Sequence, residues 1–251
     1  MVILKVMSLE QERLSPKTFM LKWVRLEHLA RFRFGAEFVK DKVVVDCACG
    51  SGVGSKIFAE AGAKEVRAFD VDEEEIRNCG IAALRNDLPE FAVADARRLP
   101  LPDNFADVYI SFETIEHIEG DLEYLQEAKR ILKSNGIFIC STPNRLITNP
   151  GKTISDKPWN KFHVREYSRQ EFVDLLSKYF GKVELYGQNP VCALRAKMLN
   201  TIGRMFPLYG AVRLNQIVKL PRFIYDTERR HRVMEIREGY EYEYLVAVCY
   251  S

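Results

Sequence analysis

Much that would mark a specialised environment is missing from this 251-residue chain. No apolar run approaches the roughly 20 residues that cross a bilayer. The opening MVILKVMSLEQER has too short an apolar stretch for a secretory leader and no small-residue cleavage pattern. Six cysteines (Cys47, Cys49, Cys79, Cys140, Cys192, Cys249) form no CxxC pair and are too sparse for a disulfide scaffold. They read as small hydrophobes of a reducing compartment, so a cytoplasmic location is expected. Net charge is only +2, which points to no polyanionic partner for the chain as a whole. Internal repeats and low-complexity tracts are absent, and there are only four histidines to carry acid–base chemistry. What is present, 47% hydrophobic and 29% charged residues, is the composition of an ordinary globular domain.

The pattern from about residue 42 to 188 alternates short apolar runs with amphipathic stretches, the signature of a parallel sheet covered by helices. Strands are expected at KVVVDCA, KEVRAFDV, EFAVAD, FADVYISF, GIFICST and KVELYGQ, with a last one in YEYEYLVAVCYS. DLEYLQEAKRILKSNG is expected to be a helix with Leu122, Leu125, Ala128 and Leu132 inward and Asp121 as its cap. SRQEFVDLLSKYFG carries Ser168 with Glu171 three residues later, a capping box. Residues 1–40 read as an N-terminal helical cover, 41–189 as the core, and 190–238 as a basic helical insertion before the last strand. Residues 143–167 are too long and too rich in Pro, Asn and Gly for a simple connection, as binding loops often are.

After the first expected strand come Gly50, Gly52 and Gly54, following Asp46. Regular glycine at such a turn means tight backbone or close approach to a ligand. A dinucleotide fingerprint would need glycine at 55, where Ser55 stands, and the spacing of Lys56 excludes a phosphate-cradling P-loop. Asp46-Cys-Ala-Cys-Gly50-Ser-Gly52 instead resembles the first motif of the class I S-adenosylmethionine-dependent methyltransferases. Asp70 follows Gly52 by 18 residues, where a carboxylate can meet both ribose hydroxyls. AVADARRLPLPDNFADVYISFETIEHI then resembles the family's third and fourth motifs, and RILKSNGIFICSTPN its fifth strand. The resemblance runs over roughly residues 37–188, and its nearest group includes ubiquinone-biosynthesis and sugar O-methyltransferases. It implies a Rossmann-like seven-stranded mixed sheet with helices on both faces and the last strand antiparallel. It also implies S-adenosylmethionine as cofactor, with Asp46, Gly50, Gly52, Asp70, Asp95, Ala96 and Phe112 around it. A cationic sulfonium and ammonium suit an acidic residue at the turn.

The acceptor chemistry falls to FETIEHIE. Glu113, Glu116 and His117 stand at i, i+3 and i+4, so a helical turn would put them on one face. His163 lies in the long loop after the fifth strand. E-x-x-E-H with a later histidine is similar to the small-RNA 3′-terminal 2′-O-methyltransferases, which implies Glu113, Glu116, His117 and His163 as ligands of a divalent metal such as Mg, Mn or Zn. A metal-free base at His117 or His163, or a purely structural cap, are the other readings. His28 is expected to pack a helix, and His231, within ERRHRV, to be solvated.

Residues 191–237 carry ten Lys or Arg against three Asp or Glu, interleaved with Met, Leu, Ile and aromatics. Such a segment suits a helical cap packed on the sheet or on a second subunit in a homodimer, a peripheral membrane contact, or phosphate-bearing acceptors. The function expected is O-methylation of a small-molecule or glycan-like hydroxyl acceptor. The alternatives are an RNA ribose 2′-O-methyltransferase using the basic insertion, and a non-catalytic S-adenosylmethionine-binding protein.

Overall fold

A computed structural model describes residues 22–83, 89–205 and 231–251. Helix α1 (Lys22–Ala36) leads into strand β1 (Val43–Cys47), whose successive valines suit a pleated, buried backbone. Units of strand and helix follow: α2 (Val53–Glu60), β2 (Glu65–Asp70), α3 (Glu73–Ala83), β3 (Glu90–Val93) and β4 (Ala106–Phe112). A single 3-10 turn (Ile115–His117) precedes α4 (Asp121–Ile131), β5 (Leu132–Pro143) and the short α5 (Arg145–Thr148). The chain closes with α6 (Arg169–Leu176), β6 (Lys182–Cys192), α7 (Ala193–Met205), β7 (Met234–Glu235) and β8 (Tyr240–Tyr250).

The strands form one sheet in the order β3-β2-β1-β4-β5-β8-β6-β7. The pairs from β3 to β5 are parallel, whereas β8 runs antiparallel between β5 and β6, as expected of the last strand. Eight strands stand where seven were expected, because Met234–Glu235 adds two residues to the β6 edge at Tyr186 and Gly187. That pairing lies inside the segment read as wholly helical, and β6 itself runs two residues past the expected boundary at 190. The part of that segment at 206–230, and residues 1–21 of the N-terminal cover, lie outside the described residues.

Alternation along β8 feeds two cores: Leu245, Ala247 and Cys249 face one layer, Val246 and Val248 the other. In the first layer Phe138 stacks on Phe180 at 5.1 Å and meets Tyr109 edge-on at 5.5 Å. Such a ring is worth about 3–5 kcal/mol against truncation. In the second, Phe58 packs with Ile110, Ile139 and Val248 beneath α1.

Helix α6 has the capping box, with both Ser168 and Glu171 reciprocally bonded. Helix α4 departs from expectation. Its N-cap is Gly120, its inward face is Tyr124, Leu125, Ala128 and Ile131, and Leu122 is exposed. The Asp121 carboxylate accepts instead from Tyr167 Oη at 2.8 Å and Arg165 Nη1 at 2.7 Å. It therefore ties the far end of the long loop to the start of α4. All the parallel strands end on one edge, and the candidate site lies there.

Candidate functional site

The turn after β1 uses the left-handed region three times, at Ala48 (φ 61°), Gly50 (φ 52°) and Gly52 (φ 72°). The Gly50 N–H donates to Asp70 Oδ2 at 2.8 Å, and Asp72 N–H to Asp70 Oδ1 at 3.0 Å. A carboxylate at the end of β2 is thereby clamped over the turn at the end of β1. The two glycines differ in what surrounds them. A side chain at Gly50 would meet nothing within 4 Å, whereas one at Gly52 would strike the Phe91 ring at 2.8 Å and Cys79 Sγ at 3.1 Å. Gly50 borders open space and Gly52 is closed in by protein. Gly54 lets Phe32 of α1 approach α2, with Asp46 close by.

Asp46 is buried, and Ser55 Oγ donates to its Oδ2 at 2.5 Å. Burial, aided by the charge of Asp70, pushes its carboxyl up to about 7 against the Ser55 hydrogen bond. Asp95 is exposed beyond β3 and pairs with Arg97, whose backbone N–H and guanidinium hold its carboxyl below the usual range. Ala96 beside it is half-buried on the first core layer. Phe112 closes β4 with its ring 6.0 Å from that of Phe32. An open cradle at Gly50, a ribose-type carboxylate at Asp70 and a buried acid at Asp46 fit an adenosyl sulfonium cofactor.

The second group sits beyond β4 and β5. Glu116, His117 and His163 each present a ligand atom, and these atoms lie within 4.8 Å of one another. The long loop makes this possible by pairing back, since Val164 N–H donates to the Glu116 carbonyl at 2.7 Å. The imidazoles of His117 and His163 meet edge to face, 4.7 Å between centroids. His117 Nδ1 donates to the Phe162 carbonyl at 3.0 Å. His163 Nδ1 donates to Glu166 Oε1 at 2.6 Å, and its Nε2 accepts from Asn160 Nδ2 at 2.9 Å. Glu166 is itself buried and receives Asn149 Nδ2 at 2.6 Å and the Thr148 hydroxyl. This carboxylate–imidazole pair escaped the sequence reading, and its signal was the i, i+3 spacing within HVRE.

Glu116 is wholly buried. Its Oε2 accepts from Thr142 at 3.0 Å, while Oε1 has no hydrogen-bond partner. Burial first, then the charge of Glu113, push its carboxyl well above the usual range. Glu113 does not join the cluster. Instead of an α-helical turn the chain takes φ 51° at Glu113 and then a 3-10 turn. The carboxylate therefore turns toward α1, where it accepts from Ser141 Oγ at 2.6 Å and lies 4.0 Å from Arg31 Nε. Of the four residues expected to hold a metal, Glu116, His117 and His163 converge and Glu113 does not.

Under α1 lies a buried polar group with no clear sequence signal. Arg31 donates to Gln188 Oε1 at 2.5 Å and stacks its guanidinium 4.7 Å from the Tyr244 ring centroid. Asn189, at φ 57°, donates to Glu27 at 2.6 Å and Glu243 at 3.2 Å. His231 belongs here, only 1% exposed, with Nδ1 3.1 Å from Asn189 Oδ1 and 3.6 Å from Glu27. The expectation of a solvated His231 is corrected, because its basic sequence neighbours concealed a side chain that points into the fold. His28 packs against Phe32 on α1 as expected, its imidazole held well below the ordinary range by burial and Arg31.

Residues 45–140 match the family model of a methyltransferase domain. The Caulobacter vibrioides ubiquinone/menaquinone biosynthesis C-methyltransferase is 35% identical over 121 residues, 43% of this chain and 47% of the relative. A ubiquinone biosynthesis O-methyltransferase of a Ruegeria species is 33% identical, over 59% of this chain and 60% of its own. The chain spans about half the length of the curated relatives it matches. The crystal structure of an S-adenosylmethionine-dependent methyltransferase from Mesorhizobium loti superposes with TM-score 0.56 at 17% identity, covering 90% of this chain and 98% of that one. That likeness is one of fold.

Proposed function

We propose that the chain is a class I S-adenosylmethionine-dependent methyltransferase, as the match of residues 45–140 to the methyltransferase-domain model supports, and that it methylates an oxygen of a small or glycan-like acceptor with adjacent hydroxyls. The observation that carries this reading is the convergence of Glu116, His117 and His163 beside the end of β4. All six cysteines are unpaired thiols, which supports a reducing, cytoplasmic setting.

When bound, S-adenosylmethionine supplies an electrophilic methyl carbon on a sulfonium. The chain's task is to hold the acceptor in line with it and remove the hydroxyl proton. Glu166 fixes the Nδ1–H of His163, so the proton would be taken at Nε2, which exchanges its hydrogen bond from Asn160 Nδ2 for the acceptor hydroxyl. An imidazolium formed there is stabilised by the same buried carboxylate. Asp46 and Asp70 place negative charge on the cofactor side of the edge, and Gly50 leaves the space they border.

Glu116, His117 and His163 also fit a divalent metal, a two-histidine, one-carboxylate set with Nδ1 of His117 committed to a carbonyl and a carboxylate behind His163. The buried Glu116 Oε1 without a partner is the atom such an ion would satisfy. A bound ion would polarise acceptor hydroxyls. Coordination exchanges the Nε2 hydrogen bond from Asn160 for a metal bond and leaves His163 no nitrogen for a proton, so the metal and the His163 base are alternatives.

The test is calorimetric. S-adenosylhomocysteine is titrated into metal-stripped protein, then Mg, Mn and Zn into the complex, and both are repeated with His117→Ala. Cofactor binding in both proteins, with metal binding only in the wild type, is expected. Cofactor binding without any metal uptake would reduce the proposal to a histidine base, and absence of cofactor binding would overturn it.

A further inference from the structure

Helix α7 packs on the rest of the fold along one narrow seam. Ala196 and Leu199 are buried, and at Gly203 the backbone comes so close to Pro150 and Gly151 that a Cβ would sit 2.2 Å from the Pro150 carbonyl oxygen. Asn200 locks the contact, donating to the Leu146 carbonyl at 2.7 Å and accepting from Gly151 N–H at 2.9 Å. The opposite side is therefore held outward. On it stand Leu194, Met198 and Met205, 77%, 51% and 65% exposed, three of the large apolar side chains most open to solvent. At about 100° per residue they fall within about 40° of one another. Lys197 and Arg204 flank this stripe on one side and Arg195 on the other, and the helix carries no acidic residue. Tyr240, 45% exposed, pairs in register with Cys192 at the foot of the same helix.

We infer that this outer face of α7 docks the protein on an anionic lipid surface. The arrangement is that of an interfacial helix, apolar along the middle, with long cationic side chains on both flanks whose stems lie along the apolar stripe while their heads reach phosphates. At 13 residues the helix lies in the plane of a bilayer and does not cross it. Charge complementarity selects the lipid: the segment from 191 to 237 holds ten basic against three acidic residues, while the rest of the chain is net acidic. A nucleic-acid phosphate backbone would instead meet its cations along the centre of the face, where leucine and methionine stand. The inference is independent of the acceptor chemistry proposed above.

Flotation of the full chain with phosphatidylcholine vesicles, with and without phosphatidylglycerol, tests it. Wild-type protein is expected to float with the anionic vesicles only, and less so at high salt. Lys197→Gln and Arg204→Gln should each weaken partitioning about fivefold. The triple change Leu194→Ser, Met198→Ser, Met205→Ser should weaken it at least about tenfold, since each lost side chain is apolar area no longer buried in lipid. S-adenosylhomocysteine affinity and melting temperature should stay at wild-type values in every variant. Wild-type protein that stays with the soluble fraction would overturn the inference. So would a triple variant that floats unchanged, a wild-type dimer that the triple change converts to a monomer without any vesicle binding, or salt-sensitive capture of RNA in place of vesicles.

Discussion

Asp46 makes a measurable claim about cofactor binding. In the free protein its carboxyl is raised from 3.8 to about 7, chiefly by burial. S-adenosylhomocysteine has no sulfonium but keeps the homocysteine ammonium, and that cation beside Asp46 would favour the carboxylate, so binding must expel the proton whenever the free protein carries one. Below about pH 7 the affinity then falls tenfold per pH unit, and above it the profile is flat. Between about pH 8 and about pH 5.5 the Kd for S-adenosylhomocysteine should rise about thirtyfold. Calorimetry in buffers of different ionisation enthalpy should count close to one proton released at the acid end. Asp46→Asn keeps an oxygen for the Ser55 hydroxyl and cannot titrate, so its Kd should be nearly independent of pH.

The same group has a stability signature of opposite sense. A carboxyl raised on folding binds its proton more tightly in the native state. Its stabilising contribution is complete below the unfolded value and is lost as pH rises toward about 7. The shift corresponds to about 4 kcal/mol. Asp46→Asn should therefore melt at a higher temperature than wild type above neutrality and near it at acid pH. A flat wild-type affinity profile, or an Asn variant that keeps the slope, would refute the reasoning.

Glu116→Gln replaces a buried carboxyl whose Oε1 has no hydrogen-bond partner. In metal-stripped protein the variant cannot ionise at this position, so its stability relative to wild type should rise with pH as the raised carboxyl ionises, while metal uptake in the calorimeter is abolished. Gly203→Ala drives a Cβ into the backbone of Pro150. It should cost about 3 kcal/mol in urea denaturation, whereas Gly181→Ala, with open space around it and no left-handed backbone, should cost less than about 1 kcal/mol.

The sheet was legible because its central strands β1, β4 and β8 are buried on both faces and announce themselves as apolar runs, and because Gly50, Asp70 and Asp95 fall at the ends of consecutive strand units. The capping box at Ser168 was equally plain, since both partners are three residues apart. Legibility failed where a side chain's direction depends on local backbone. Spacing put Glu113 on a helical face with Glu116 and His117, and one left-handed residue sent it toward Arg31 instead. It also failed for Asp121, which has the chemistry of a cap but is taken by Tyr167 and Arg165, residues more than 40 positions away.

The two sides of the sheet edge explain why the polar residues there were hard to sort by type. Glu116, bonded to Thr142, leads to His117, His163 and Glu166; Glu113, bonded to Ser141, leads to Arg31 and Tyr244 beneath α1. Ser141 and Thr142 are neighbours on one strand, so the pleat sends them to opposite faces. The carboxylate each hydroxyl donates to is set by that alternation: Ser141 donates to Glu113, Thr142 to Glu116. A contact only one residue apart in β5 thus separates a cluster of two imidazoles and a carboxylate from one that holds an arginine. The division follows from the register of β4 on β5, where Phe112 pairs with Ser141, and a slip of one residue would exchange the two groups.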